Sequence, residues 1–267
     1  MKVPLFGPDS DPGSGFTDLL RSVGLDPFSA PAGTPRVEGA PHGTTVLALR
    51  CVDGVVMAGD RRATMGHRIS NREMEKVVPA DRHSGVAISG TAGVAMEMIK
   101  LFQLQLEHYE KLDGRPISLE GKANQLSQMV KANLGAAMQG LAVVPIFAGY
   151  DPLRRTGRLW DFDVTGGRYE EREFVATGSG GGPAATVLKV GYRPNLASGE
   201  AVDLACRALF EAADVDAATG GPDVLRGIYP VVAVIDSDGW RRVDDEQLRT
   251  VFERISDEHR SSREVSS

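Results

Sequence analysis

The 267-residue sequence predicts an α+β fold, with sheets packed face to face and helices outside. Three observations predict it. Strand-like and helix-like segments come in blocks, not in the strict alternation of a doubly wound sheet. No internal repeat is present. The composition also changes abruptly at residue 44, from a Pro- and Gly-rich leader to patterned apolar segments.

Residues 1–43 hold seven Pro and seven Gly, with one helix-like patch at 16–23. Such a stretch buries little apolar surface and is expected to be mobile, either as a plain tail or as a pro-segment. Residues 44–51 read as a strand, Asp53 and Gly54 as a turn, and 55–60 as a second strand. Two short strands follow at 76–79 and 85–89. A helix is predicted over 92–111, with Met96, Ile99, Phe102, Leu106 and Tyr109 on one side. A second is predicted over 118–139, with Ser118 as its N-cap although Gly121, not Glu, stands at N3. Strands return at 143–150, 157–163 and 173–177. Helices near 184–190 and 198–213, a strand at 230–236 and a short helix at 244–255 complete the pattern. The segment 256–267 is polar and reads as a loose tail.

Composition excludes several classes of function. The net charge is −6 and no Lys/Arg run occurs, which is unsuited to wrapping nucleic acid. No run of about 18 apolar residues is long enough for a membrane helix. The N-terminus lacks a charged start followed by an apolar core, so no secretory signal is read there. Cys51 and Cys206 lie in apolar stretches, outside any CxxC, and are expected to be buried free thiols of a reducing compartment. These features together predict a cytoplasmic location. The five histidines show no metal-ligand spacing, so neither a metal nor another cofactor is expected. The glycines at 178 and 180–182 lack the Gly-Lys-Ser/Thr of a phosphate loop.

The sharpest local feature is Gly43 directly ahead of Thr44, Thr45 and Val46 at the head of a strand. Without a Cβ, Gly43 allows a bend tight enough for the Thr44 hydroxyl to reach the preceding carbonyl. Cleavage at that bond frees an α-amine, whose reference pKa of about 7.7–8.0 suits a general base near neutrality. A Gly-Thr-Thr alone carries little information. An isolated Asp60 reads equally as a turn cap, and an isolated Lys76 as a solvated lysine. The company is more specific: Gly59-Asp60-Arg61-Arg62-Ala63-Thr64, Met74-Glu75-Lys76-Val77, Ser89-Gly90-Thr91-Ala92-Gly93, a Gly/Ser segment around Ser179, and an Asp216 to Thr219 segment. All fall at strand ends or helix starts, where active sites are commonly assembled.

The order and spacing of Thr44, Asp60, Lys76, Gly90, Ser179 and Asp216 resemble the proteasome β-subunit family of N-terminal nucleophile hydrolases, over nearly the whole chain from residue 44 to about 255. The leader most resembles the actinobacterial type of propeptide. The resemblance implies a four-layer αββα sandwich of two antiparallel sheets flanked by helices. It implies a threonine endopeptidase whose residues 1–43 are removed by self-cleavage between Gly43 and Thr44. In it Thr44 is nucleophile and base, Lys76 a buried cation paired with Asp60, and the Gly90 N–H an oxyanion donor. Ser179, Asp216 and Thr219 orient the amine, with Thr219 replacing the usual Ser. Thr64, Gly90 and Ala92 match positions that hold an extended peptide main chain. Ala63, Met74, Val78, Ile88, Ala92 and Met96 match the first specificity pocket, which is apolar throughout and predicts cleavage after large apolar residues. The implied partners are α subunits and other β subunits in stacked heptameric rings, and an ATPase ring acting through the α rings. The other classes considered are a catalytically silent β subunit, a simpler bacterial homologue that pairs directly with an ATPase ring, and a more distant amidase. Retention of Thr44, Asp60 and Lys76 argues against the first, the long leader against the second, and the motif order against the third.

Overall fold

The computed structural model describes residues 43–65 and 68–264. The predicted leader, with its patch at 16–23, lies outside the described residues except for Gly43.

Two five-stranded antiparallel sheets form the centre. The first has the order β10-β1-β2-β11-β12, built from β1 (Thr45–Cys51), β2 (Gly54–Gly59), β10 (Phe174–Gly178), β11 (Val231–Asp236) and β12 (Gly239–Arg242). The second has the order β5-β6-β7-β8-β9. Its strands are β5 (Val77–Asp81), β6 (Ser84–Gly90), β7 (Val143–Asp151), β8 (Thr156–Phe162) and β9 (Arg168–Glu171). A separate hairpin joins β3 (Ala63–Met65) to β4 (Arg68–Asn71).

The alternation of side chains along a strand explains why β1 and β2 read as unbroken apolar runs. Val46, Ala48, Val55 and Met57 enter a core between the sheets, with Val77, Ala87, Ile146, Leu159, Val231 and Ile235. Leu47, Leu49, Val56 and Ala58 point the opposite way, into a core shared with the helices α4 (Gly181–Gly191), α5 (Ser198–Val215) and α6 (Asp245–Glu264). A third core joins the second sheet, through Val86, Ile88, Phe147 and Trp160, to α1 (Ala92–Asp113) and α2 (Leu119–Ala132), through Ile99, Phe102 and Leu126. Helices, sheet, sheet, helices: the layers are those of an αββα sandwich, as the sequence predicts.

Local chemistry sets the element ends. Gly114 ends α1 at φ 72°, a left-handed C-cap whose N–H bonds to the Glu110 carbonyl. The Ser118 hydroxyl accepts from the Gly121 N–H and caps α2 without a glutamate partner. Pro79 is tolerated in β5 because β5 is an edge strand. Cys51 and Cys206 are buried and unbridged.

Several boundaries differ from the sequence reading. The helix predicted over 118–139 breaks at Asn133, whose side chain donates to the Leu141 carbonyl; only a short α3 (Leu134–Ala137) follows. Gly135 and Gly140 beside it weaken helix continuation. The tail predicted to be loose from residue 256 is helical to Glu264. Ile255 is buried, and the ion pairs Arg207–Glu258 and Arg254–Asp203 and the His259–Glu211 hydrogen bond fasten the last turns to α5. The ladder of β1 begins at Thr45, leaving Thr44 just ahead of it.

Candidate active site

One end of the first sheet gathers most of the predicted residues. Register places Thr45 opposite Gly178 on β10 and Val46 opposite Gly59 at the end of β2. Asp60 therefore leaves β2 beside the start of β1, and its N–H bonds to the Thr45 carbonyl. Lys76 immediately precedes β5, and its carbonyl accepts from the Ile88 N–H. Ser179 follows β10, with its N–H on the Thr44 carbonyl at 2.8 Å. Asp216 caps the C-terminus of α5.

The first half of the site is built on Lys76, which is 1% exposed although it is a lysine. Its ammonium donates to Asp60 Oδ1 at 2.7 Å, to the Arg62 carbonyl at 2.5 Å and to the Gly43 carbonyl at 3.3 Å. All three of its protons thus have acceptors. Burial pushes the ammonium below the usual lysine range, and the Asp60 charge and hydrogen bond draw it only part of the way back. Asp60 is fully enclosed: Oδ1 also accepts from the Thr45 N–H, and Oδ2 from the Arg62 and Gly220 N–H groups. That number of donors is what lets a carboxylate stay charged away from water.

The second half is a chain of hydroxyls ending on Asp216. Its Oδ2 accepts from Ser179 Oγ and Thr219 Oγ1, each at 2.5 Å, and its Oδ1 from the Ala218 N–H at 3.2 Å. Burial acts to raise the Asp216 carboxyl, but these three donors outweigh it and hold the group below the usual carboxylate range. Ser179 Oγ in turn accepts from the Thr44 N–H at 3.3 Å. Thr44, Ser179, Asp216 and Thr219 are therefore brought into one hydrogen-bonded set.

Two glycines are fixed by close approach. A Cβ on Gly43 would lie 1.8 Å from the Ala218 Cβ, so packing as well as bending demands glycine there. Gly90 ends β6 at φ +107°, and a Cβ would meet the Ala142 carbonyl at 2.1 Å. Of the predicted substrate-contacting residues, Ile88 is buried, and Met74, Val78 and Met96 pack half-buried against the same cluster. Thr64, on β3, accepts the Gly43 N–H at 3.2 Å. Ala63 lies beside it on β3, and Ala92 opens α1, both half-buried.

Sequence reasoning missed two participants. Arg62 acts through its backbone carbonyl on Lys76, while its guanidinium donates to the Ala217 and Thr219 carbonyls. Thr45 bonds to both halves of the site, through its N–H to Asp60 and through its hydroxyl to Thr219. Among the described residues no group of three or more His, Cys, Asp or Glu could hold a metal, and no helix is long and apolar enough to cross a membrane.

Similarity to known proteins extends over most of the chain. The family model described as proteasome subunit matches residues 40–225. A proteasome subunit beta from Acidimicrobium ferrooxidans is 56% identical over 251 residues, 94% of this chain and 92% of the relative. One from Streptomyces griseus is 52% identical over 90% of this chain and 88% of its own length. One from Jonesia denitrificans is 49% identical over 94% and 86% respectively.

Proposed function

The chain belongs to the proteasome subunit family, and from that premise we propose that it is a threonine endopeptidase whose nucleophile, Thr44, is freed when the Gly43–Thr44 bond is cut. The observation that carries the reading is the Lys76 ammonium, buried, fully partnered and directed at the Gly43 carbonyl at 3.3 Å. A cation at that oxygen favours addition of the Thr44 hydroxyl to the same carbonyl, which transfers the acyl group from nitrogen to oxygen. Water then releases the segment 1–43 and leaves Thr44 with a free α-amine.

In the mature chain that amine takes the proton of the Thr44 hydroxyl as it attacks a substrate carbonyl. Lys76, anchored by Asp60, stabilises the anionic character near the nucleophile. The Gly90 N–H donates to the oxyanion, a contribution of about 2.7–4 kcal/mol per donor in comparable sites. Ser179, Asp216 and Thr219 orient the amine, which returns the proton to the leaving group. Water hydrolyses the resulting ester. Ala63, Thr64, Met74, Val78, Ile88, Ala92 and Met96 receive the peptide, with large apolar side chains preferred, and the two methionines adapt to several shapes.

The family assembles into rings, and the chain is assigned to stacked heptameric β rings between α rings, degrading unfolded proteins in a closed cytoplasmic chamber. An ATPase ring acts through the α rings, and no cofactor takes part. Lys76, paired with Asp60, reaches the carbonyl of the residue directly ahead of Thr44, which supports the catalytic reading over a silent ring subunit. The test is turnover of a fluorogenic peptide with a large apolar residue before the scissile bond, by the chain assembled with its cognate α subunit. Thr44→Ala should abolish turnover; undiminished cleavage by that variant contradicts the assignment.

A further inference from the structure

Thr45 is fully buried, and its polar atoms join the two halves of the site. Its N–H donates to Asp60 Oδ1 at 2.8 Å, the oxygen that also takes the Lys76 ammonium. Its hydroxyl accepts from the Gly180 N–H at 3.0 Å and lies 2.5 Å from Thr219 Oγ1. The direction of the chain follows from the acceptors. The Thr219 proton goes to Asp216 Oδ2, so Thr219 Oγ1 must accept, and the proton between the two threonines belongs to Thr45. Donation therefore runs Gly180 N–H to Thr45, Thr45 to Thr219, Thr219 to Asp216, with Ser179 donating to the same carboxylate oxygen from the nucleophile's side. The space is filled: a Cβ on Gly180 would lie 2.4 Å from Thr45 Oγ1 and 2.6 Å from Thr219 Oγ1.

We infer that Thr45 is a positioning residue for the reaction, its hydroxyl polarising the Thr219–Asp216–Ser179 chain that orients the Thr44 amine. The inference rests on the reading of Thr44 as nucleophile and adds to it a residue that never touches the reacting atoms. Aligned hydrogen bonds strengthen one another, and the Thr45–Thr219 end of this chain is buried, so loss of the Thr45 hydroxyl weakens the donors that follow it. The charged groups facing this chain are Asp216 and Arg62, the latter through the Thr219 carbonyl, with Asp60 and Lys76 on the backbone side of Thr45.

The experiment compares Thr45→Val, Thr45→Ala and Thr45→Ser in the full chain assembled with its α partner, with kcat normalised to the mature chains counted by intact mass. Thr45→Val and Thr45→Ala should lower kcat on the order of tenfold, with KM for an apolar peptide nearly unchanged. The acid limb of the pH profile should move to higher pH, because a weaker donor on Thr219 leaves more negative charge on Asp216 and favours the protonated amine. Thr45→Ser, which keeps the hydroxyl, should recover to within about twofold of the parent. Equal loss in all three variants, or an unchanged kcat and acid limb in the first two, overturns the inference. So does failure of both hydroxyl-free variants to assemble while Thr45→Ser assembles, since Thr45 is then structural. The Thr44→Ala control separates this from failure of the nucleophile reading, because only that reading demands that Thr44→Ala be inactive.

Discussion

Two buried lysines with the same kind of partner sit in different parts of this molecule. Lys76 pairs with Asp60 at the head of β5, and Lys122 pairs with Asp81 where α2 lies over the second sheet. Asp81 is tied to its own turn by the Ser84 hydroxyl and the His83 N–H. That pair fastens a helix to a strand end and touches nothing reactive. Lys76 differs in its remaining acceptors, the carbonyls of Arg62 and Gly43, the second of which belongs to the bond ahead of Thr44. A buried ion pair is weak evidence of either stability or function by itself. What marks a site is where the spare hydrogen-bonding capacity of the cation is aimed.

Exchanging the two lysines for alanine should separate these roles most widely. Lys76→Ala should lower leader removal and peptide turnover by at least about a hundredfold while the fold survives, because Asp60 keeps three N–H donors. Lys122→Ala should cost about 3 kcal/mol of stability, read as a lower denaturant midpoint, and leave turnover per mature chain intact. Normal turnover in Lys76→Ala removes that residue from the mechanism.

The next largest effect sharpens the contrast between site and scaffold at glycines three residues apart. Gly90→Ala forces a Cβ against the Ala142 carbonyl at a positive φ, and should reduce kcat about 100- to 1000-fold as the Gly90 N–H is displaced. Gly93→Ala, in the first turn of α1 with nothing near the new Cβ, should leave kcat unchanged and raise stability by about 0.5–1 kcal/mol.

Smaller effects follow from titration. The folded-state pKa of Lys76 is depressed below its ordinary 10.5, so the alkaline limb of kcat/KM should fall short of 10.5. Between the depressed value and 10.5 the unfolded chain holds more protons, so stability rises with pH in that window. Asp216 has the same sense at the acid end, where stability also rises with pH between the folded value and the ordinary one. Its pKa lies below 3.8, so its contribution is present above 3.8 and is lost as pH falls through the folded value. Asp216→Asn should flatten the acid limb of a stability-against-pH curve, measured by thermal unfolding. The smallest change expected is at the exposed Glu107–Lys111 pair of α1, where Lys111→Ala should leave the denaturant midpoint nearly unchanged.

The layer order was legible because blocks of strands and helices admit few packings, and because the runs in β1 and β2 are apolar on both faces. The strands β4, β9 and β12 were not legible: sequences such as RISN and RYEE offer no apolar alternation, and only pairing with a neighbour makes them strands. The end of α6 was misread for the same reason, since its polar residues are held by partners on α5 that no local pattern reveals. At the site, the Gly43-Thr44 step stood out in the sequence itself, while Asp60 and Lys76 were legible only through the family resemblance. Arg62 escaped notice because it works through a carbonyl, which side-chain identity does not encode. Thr45 escaped because its partner, Thr219, is 174 residues away in the chain.

The most direct test is the intact mass and N-terminal sequence of the chain after co-expression with a cognate α subunit. The account predicts a mature chain beginning Thr-Thr-Val, and a Thr44→Ala chain that retains residues 1–43. An active particle whose chain still carries that segment contradicts it, because Thr44 then has no free amine to act as base.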